Sequence, residues 1–159
     1  MLLPALVSVP LGIARHAVDE IARQVREGRT ARRGQLADDP NALGDLAMAD
    51  ARLCAARATV REAVATAERW AGAAGSPVPR PVQARTIVAY LHACDTSVEV
   101  TGVAHRLGGG AAAYTGSPLL RALADVEAAR QHLMFSHHHL VALAPILAGV
   151  DAPAPPLVL

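Results

Sequence analysis

LGGGAAAYTGSPLLRALADVEAARQH, residues 107–132, is the stretch whose reading decides the fold. Its first half cannot continue a helix. Gly108, Gly109 and Gly110 stand in a row, and Gly116 and Pro118 follow within ten residues; glycine frees the backbone and proline cannot donate to the turn before it. Its second half starts one. Ser117 is a natural N-cap, Pro118 fits the first turn, and Leu119, Leu123, Val126, Ala129 and Leu133 recur at helical spacing. The glycines therefore form a corner between two helices. Glycine backbone can approach a phosphate closely, and the following helix N-terminus favours anions. The plainer reading is a helix stop with a loop, and it carries more weight on these residues alone. GGG is not the GxGxxG fingerprint, and no strand precedes it.

Working outward, Ile13, Ala17, Ile21 and Val25 share one face of a helix expected over about Pro10–Arg26, with Pro10 in its first turn and Gly28 at its exit. GRTARRGQLADDP (28–40) reads as an exposed loop. A second helix, about Pro40–Ala71, carries the stripe Leu43, Leu46, Leu53, Val60, Val64 and Ala67. AGAAGSPVPRP (71–81) stops it with three prolines and two glycines. Ile87, Leu91, Cys94, Val98 and Gly102 line a third helix from Pro81. The helix from Pro118 is the fourth, a short apolar segment runs from Leu140 to Leu147, and VDAPAPPLVL (150–159) is too rich in proline for helix. No alternating strand pattern and no internal repeat is present. These lengths and connections predict an all-α antiparallel four-helix bundle over residues 1–150, with an extended tail at 151–159.

Composition narrows the function classes. The hydrophobic fraction is 52%, mostly Ala, Leu and Val, with 3% aromatics, which favours close-packed helices. Fifteen basic and fourteen acidic residues are dispersed along the chain, so no nucleic-acid or anionic-membrane partner is expected. Cys54 and Cys94 form no CxxC pair and suit buried, reduced thiols of a cytoplasmic protein. MLLPALVSVPLGIA (1–14) has no basic residue before its apolar run and passes directly into an amphipathic segment, so it reads as a helix start rather than a leader.

Three further groups are candidates for chemistry. His137, His138 and His139 point about 100° apart on a helix. His132 and His139 could share a face, but no ExxH motif accompanies them, so no metal site is expected. Asp50, Arg57, Asp95 and Arg121 lie near the apolar stripes and suit charge pairs between helices. Ser117 has no nucleophile elbow around it, which leaves hydrolase chemistry unsupported.

Together, VPLGIARHAVDEI (9–21), LADDP (36–40), MADARLCAARATV (48–60), LGGGAAAYTGSPLLRALADVEAARQH (107–132) and AGVDAP (148–153) resemble the C-terminal domain of the acyl-CoA dehydrogenase superfamily. The similarity is to its type 2 branch, shared with flavin-dependent monooxygenases. It implies a bundle that assembles into a homo-oligomer, dimer or tetramer. It implies that Gly108 and Gly109 bring backbone near FAD, that Arg121 serves an interface or the flavin pocket, and that His132 is a catalytic residue facing the flavin ring. Ala124 departs from the arginine usual before Asp125, and Leu43 from a frequent Gln. Leu133 stands where ordinary acyl-CoA dehydrogenases place their glutamate base, so α-proton abstraction from an acyl-CoA lacks its base here. The relatives also have an N-terminal helical domain and a β-domain that complete the flavin pocket. The chain is therefore expected to form part of an FAD site, to bind FAD weakly or not at all alone, and to act as an oxidoreductase only with a partner chain carrying those domains. The alternative is a non-catalytic oligomerisation bundle derived from the same family.

Overall fold

In the computed structural model, which describes residues 3–31, 34–72 and 77–150, helix α1 spans Leu3–Arg26. It begins earlier than expected, with Pro10 inside it instead of in its first turn. An internal proline forfeits a backbone hydrogen bond. Here the preceding turn buries Val7 to 1% exposure, and Pro10 itself is fully buried, so apolar burial offsets that loss. Gly28 ends α1 with φ +67. Its N–H bonds the Val25 carbonyl, and the Arg29 N–H bonds that of Gln24, the paired closure that a left-handed glycine permits.

The expected loop at 28–40 contains a minimal ladder. β1 (Thr30–Ala31) and β2 (Gly34–Gln35) pair antiparallel, Thr30 opposite Gln35 and Ala31 opposite Gly34. Two residues per strand are too few to show an alternating pattern in sequence. A 3-10 turn at Leu36–Asp38 then buries Leu36. Asp39 Oδ1 accepts the backbone N–H groups of Asn41 and Ala42 at 3.0 and 3.2 Å, starting α2 (Pro40–Gly72) with proline in its first turn.

The buried stripe of α2 is Ala42, Ala49, Leu53, Ala56 and Val60. Leu53 and Val60 were expected in it, whereas Leu43 is exposed. Alanines repeat every seven residues on the inward face, where their small side chains allow close backbone approach. Helix α3 (Arg80–Leu107) lies against α1 and α2, and also against α4 (Pro118–Arg130) and α5 (His138–Leu147). It is buried around most of its circumference, including Ile87, Leu91 and Cys94 but also Thr86, Ala89, Tyr90, Ser97 and Thr101. Small and hydroxylated residues suit a helix enclosed on several sides, because Thr86 and Ser97 return their hydroxyls to the carbonyls of Val82 and Ala93.

The apolar interior divides in two. One cluster joins Val7, Leu53, Leu91, Cys94, Phe135 and Leu143; the other joins Ala17, Ile21, Leu36, Ala112, Leu119 and Ala122 beside the glycine corner. Helix α4 stops at Arg130, short of the expected Leu133, which is 75% exposed in a 3-10 turn, Leu133–Phe135. The turn buries the larger Phe135 in place of Leu133. The architecture is an all-α antiparallel bundle; the tail expected at 151–159 lies outside the described residues.

Candidate functional site

The corner after α3 is built by packing. Gly108 follows the last residue of α3, and a Cβ placed there would meet Leu119 Cδ1 at 2.5 Å and Ala112 Cβ at 2.9 Å. Gly108 is thus the point where the turn Gly109–Ala113 closes against α4. Gly109 differs: its φ is +59, and nothing lies within 4 Å of a Cβ there. Gly110 is equally open. Ser117 Oγ accepts the Leu119 N–H at 3.2 Å, as expected of an N-cap, with Pro118 at the start of α4. The result is bare, outward backbone at Gly109 and Gly110 beside an ordered helix start.

Arg121 lies one turn into α4 and is exposed, its Nε 3.8 Å from Asp125 on the same helix. This pair is long and screened, so the guanidinium remains available to another group. It belongs to a single helix, whereas the expectation was a pair between helices. Asp50 does pair between helices, with Arg15 of α1, and Asp95 of α3 meets His137 Nε2 at 2.7 Å and Arg130 Nε at 3.7 Å. Asp95 thereby fastens the end of α4 and the start of α5 to α3, which holds the segment carrying His132.

His132 follows α4 and is exposed. Its Nδ1 accepts the Met134 N–H at 3.2 Å, and its ring meets Phe135 edge-on at 6.3 Å. An accepting Nδ1 places the neutral ring's proton on Nε2, which leaves that nitrogen a donor. Gly109 and Arg121 stand at the N-terminal end of α4 and His132 beyond its C-terminal end, about 20 Å away for thirteen residues. The two ends share one helix without forming one pocket. His139 Nε2 donates to the Leu133 carbonyl at 3.1 Å, so it and His132 are each engaged with local backbone. Among the described residues no three His, Cys, Asp or Glu side chains gather as a metal site would require.

The remaining chemistry is subdued. Of the two cysteines expected to be buried, only Cys94 is; Cys54 is exposed on the outer side of α2. Burial, reinforced by Asp95, pushes the Cys94 thiol up to about 11, which leaves it inert at neutral pH. No helix among the described residues is long and apolar enough to cross a membrane. The sequence did not single out the buried Glu20 and Gln24, which bond each other at 2.8 Å, nor the arginines 15 and 61 that flank a groove between α1 and α2. In sequence they look like any charged residues on a helix.

Residues 5–137 match the family model described as acyl-CoA dehydrogenase, C-terminal domain. An indole-3-acetate monooxygenase of Pseudomonas putida is 39% identical over 127 residues, covering 78% of this chain and 32% of that protein. The fold is shared with XiaF from Streptomyces sp., solved with FADH2 and glycerol, at TM-score 0.86 and 19% identity over 98% of this chain and 40% of that one. The HsaA monooxygenase from M. tuberculosis superposes at TM-score 0.84 with 22% identity, over 98% of this chain and 39% of its own. The chain spans about a third of the length of the curated relative it matches. It belongs to the acyl-CoA dehydrogenase C-terminal-domain family, in the type 2 branch shared with flavin-dependent monooxygenases.

Proposed function

We propose that this chain is the bundle part of an FAD-dependent oxidoreductase of the monooxygenase type, supplying one wall of the flavin site and an oligomer interface. The observation that carries the reading is the open backbone at Gly109 and Gly110, at an ordered corner where a Cβ would meet nothing. Such backbone fits a phosphate-bearing cofactor, with Arg121 one turn into the next helix as a cation within reach of the same end. When bound, FAD supplies the redox chemistry. His132 then has a positioning and donor role through Nε2–H, held by Met134 and Phe135, and Leu133 beside it offers no carboxylate for proton abstraction. The chain covers 32–40% of its relatives, so one bundle provides only part of the surface that buries a dinucleotide. The reading therefore includes a partner polypeptide, or a longer form of the chain, carrying N-terminal and β domains. It also includes a homo-oligomer and a cytoplasmic location, which agrees with two free thiols.

The test is reconstitution. The chain is co-purified with a polypeptide carrying the missing domains, and flavin absorbance and stoichiometry are measured. Near-stoichiometric FAD is expected, with little bound by the chain alone; His132→Ala is expected to retain flavin and lower turnover. A flavin-free complex overturns the reading. A second reading, an oligomerisation bundle without catalysis, draws on the exposed apolar side chains of Val141, Leu140 and Leu147 along α5. A self-associated chain that never acquires flavin with any partner would favour it.

A further inference from the structure

The groove between α1 and α2 combines features that folding alone does not call for. It is an open trough offering about 330 Å³ of space, at the small end of the range of small-molecule sites. Val7, Leu11 and Val60 are buried beneath it and make an apolar floor. Gly12 lies along it in the interior of α1, and nothing stands within 4 Å of where its Cβ would be. Glycine disfavours a helix interior, yet any larger side chain at this position would occupy the open space.

Arginines 15, 57 and 61 line the same groove. Arg15 is already engaged, bonded to Asp50 across the two helices and to Asp19 at 3.0 Å on its own. Burial alone would lower its pKa, and the hydrogen bonds and charges of these two carboxylates more than offset that, leaving it raised. Its Nε is buried without a partner. Arg57 and Arg61 stand one helical turn apart and, among the described residues, neither has an acidic partner or a hydrogen bond. Like charges at this spacing repel and weaken the helix. Two uncompensated guanidinium groups thus border an apolar trough kept open by a glycine.

We propose that this groove binds a small organic carboxylate with an apolar body, the carboxylate bridged by Arg57 and Arg61 and the body lying over Gly12 on Val7, Leu11 and Val60. Guanidinium forks match carboxylate oxygens in geometry and charge. An inorganic anion would satisfy the arginines but leave the apolar floor uncovered. The inference is independent of the flavin reading, because it concerns binding by this chain's own residues and its readout involves no FAD.

The test is a titration of the full chain followed by amide chemical shifts, using 4-phenylbutyrate, 4-phenylbutanol and inorganic phosphate as separate probes. Phenylbutyrate is expected to give saturable shifts at Val7–Arg15 and Arg57–Arg61, with phenylbutanol weaker by about tenfold or more. The double variant Arg57→Gln/Arg61→Gln and the single variant Gly12→Leu should each weaken phenylbutyrate by about tenfold, with thermal melts close to that of the unmodified chain. Equal binding of the alcohol, saturation by phosphate as tight as by phenylbutyrate, or shifts mapping elsewhere would each overturn the proposal. If Gly12→Leu melts early, the comparison of probes on the unmodified chain decides the matter alone.

Discussion

Glu20 is a charged residue only 9% exposed, and its surroundings explain how it is tolerated. Arg23 donates to both of its carboxylate oxygens, at 2.9 and 2.7 Å, and Gln24 donates to one. The hydrogen bonds from Arg23 outweigh desolvation and hold the Glu20 pKa down to about 2, against an ordinary value of 4.5. A carboxylate with a depressed folded pKa stabilises the fold above its unfolded pKa, and that contribution fades as pH falls from about 4.5 toward 2. Because Arg23 is itself 47% exposed, the contribution is about 1–2 kcal/mol at neutral pH. Glu20→Gln should accordingly melt earlier than the unmodified chain at pH 7, with the gap closing by pH 2–3. Denaturant melts of both chains across this range check it, and a gap independent of pH would refute the assignment.

At the scale of the elements, the glycine corner makes a contrast between neighbours. Gly108→Ala would force a methyl group against Leu119, which is 1% exposed, and against the rigid Cβ of Ala112. The expected loss is about 1–3 kcal/mol, since a buried neighbour has little room to yield. Gly110→Ala, where nothing lies within 4 Å, should leave stability nearly unchanged. Thermal denaturation of the pair distinguishes packing from backbone freedom, and equal effects would show that the corner is not close-packed. Helix ends at this scale were largely legible. The pairs Asp39-Pro40 and Ser117-Pro118 mark two starts, and Gly28 marks an exit, because each acts through backbone groups within a few residues. The end of α4 was not legible. It depends on Phe135 being drawn into a cavity formed by distant helices.

For the whole molecule, α3 is the element around which the others pack, and the core holds together through it. Leu53 is fully buried in the larger cluster. Leu53→Asp places an unpaired charge there, and a loss above about 4 kcal/mol, enough to unfold a marginal bundle, is expected. Circular dichroism reads this directly; a folded, cooperatively melting variant would mean that the α2–α3 interface is misassigned. The candidate flavin wall belongs to this scale too. Gly109, Gly110 and Arg121 flank the start of α4, so that grouping could be read from the sequence. The distance of His132 from them could not, since it is set by the length of α4 and by the Asp95 contacts to Arg130 and His137.

The four long helices, the corner at 107–118 and the family itself were determined by the chain's local chemistry: periodic apolar residues, caps and glycines act over a turn or two, so they are written in adjacent residues; that the short apolar segment after them closes as a fifth helix, His138–Leu147, was not. Which faces are buried was decided by tertiary structure. The exposure of Leu43 and Leu133, the enclosure of α3 on several sides, and the meeting of Arg57 and Arg61 with the floor of Val7 and Leu11 all require helices from distant parts of the sequence to lie side by side. Burial is a property of the neighbours a residue acquires, and those neighbours exist only once the bundle has closed.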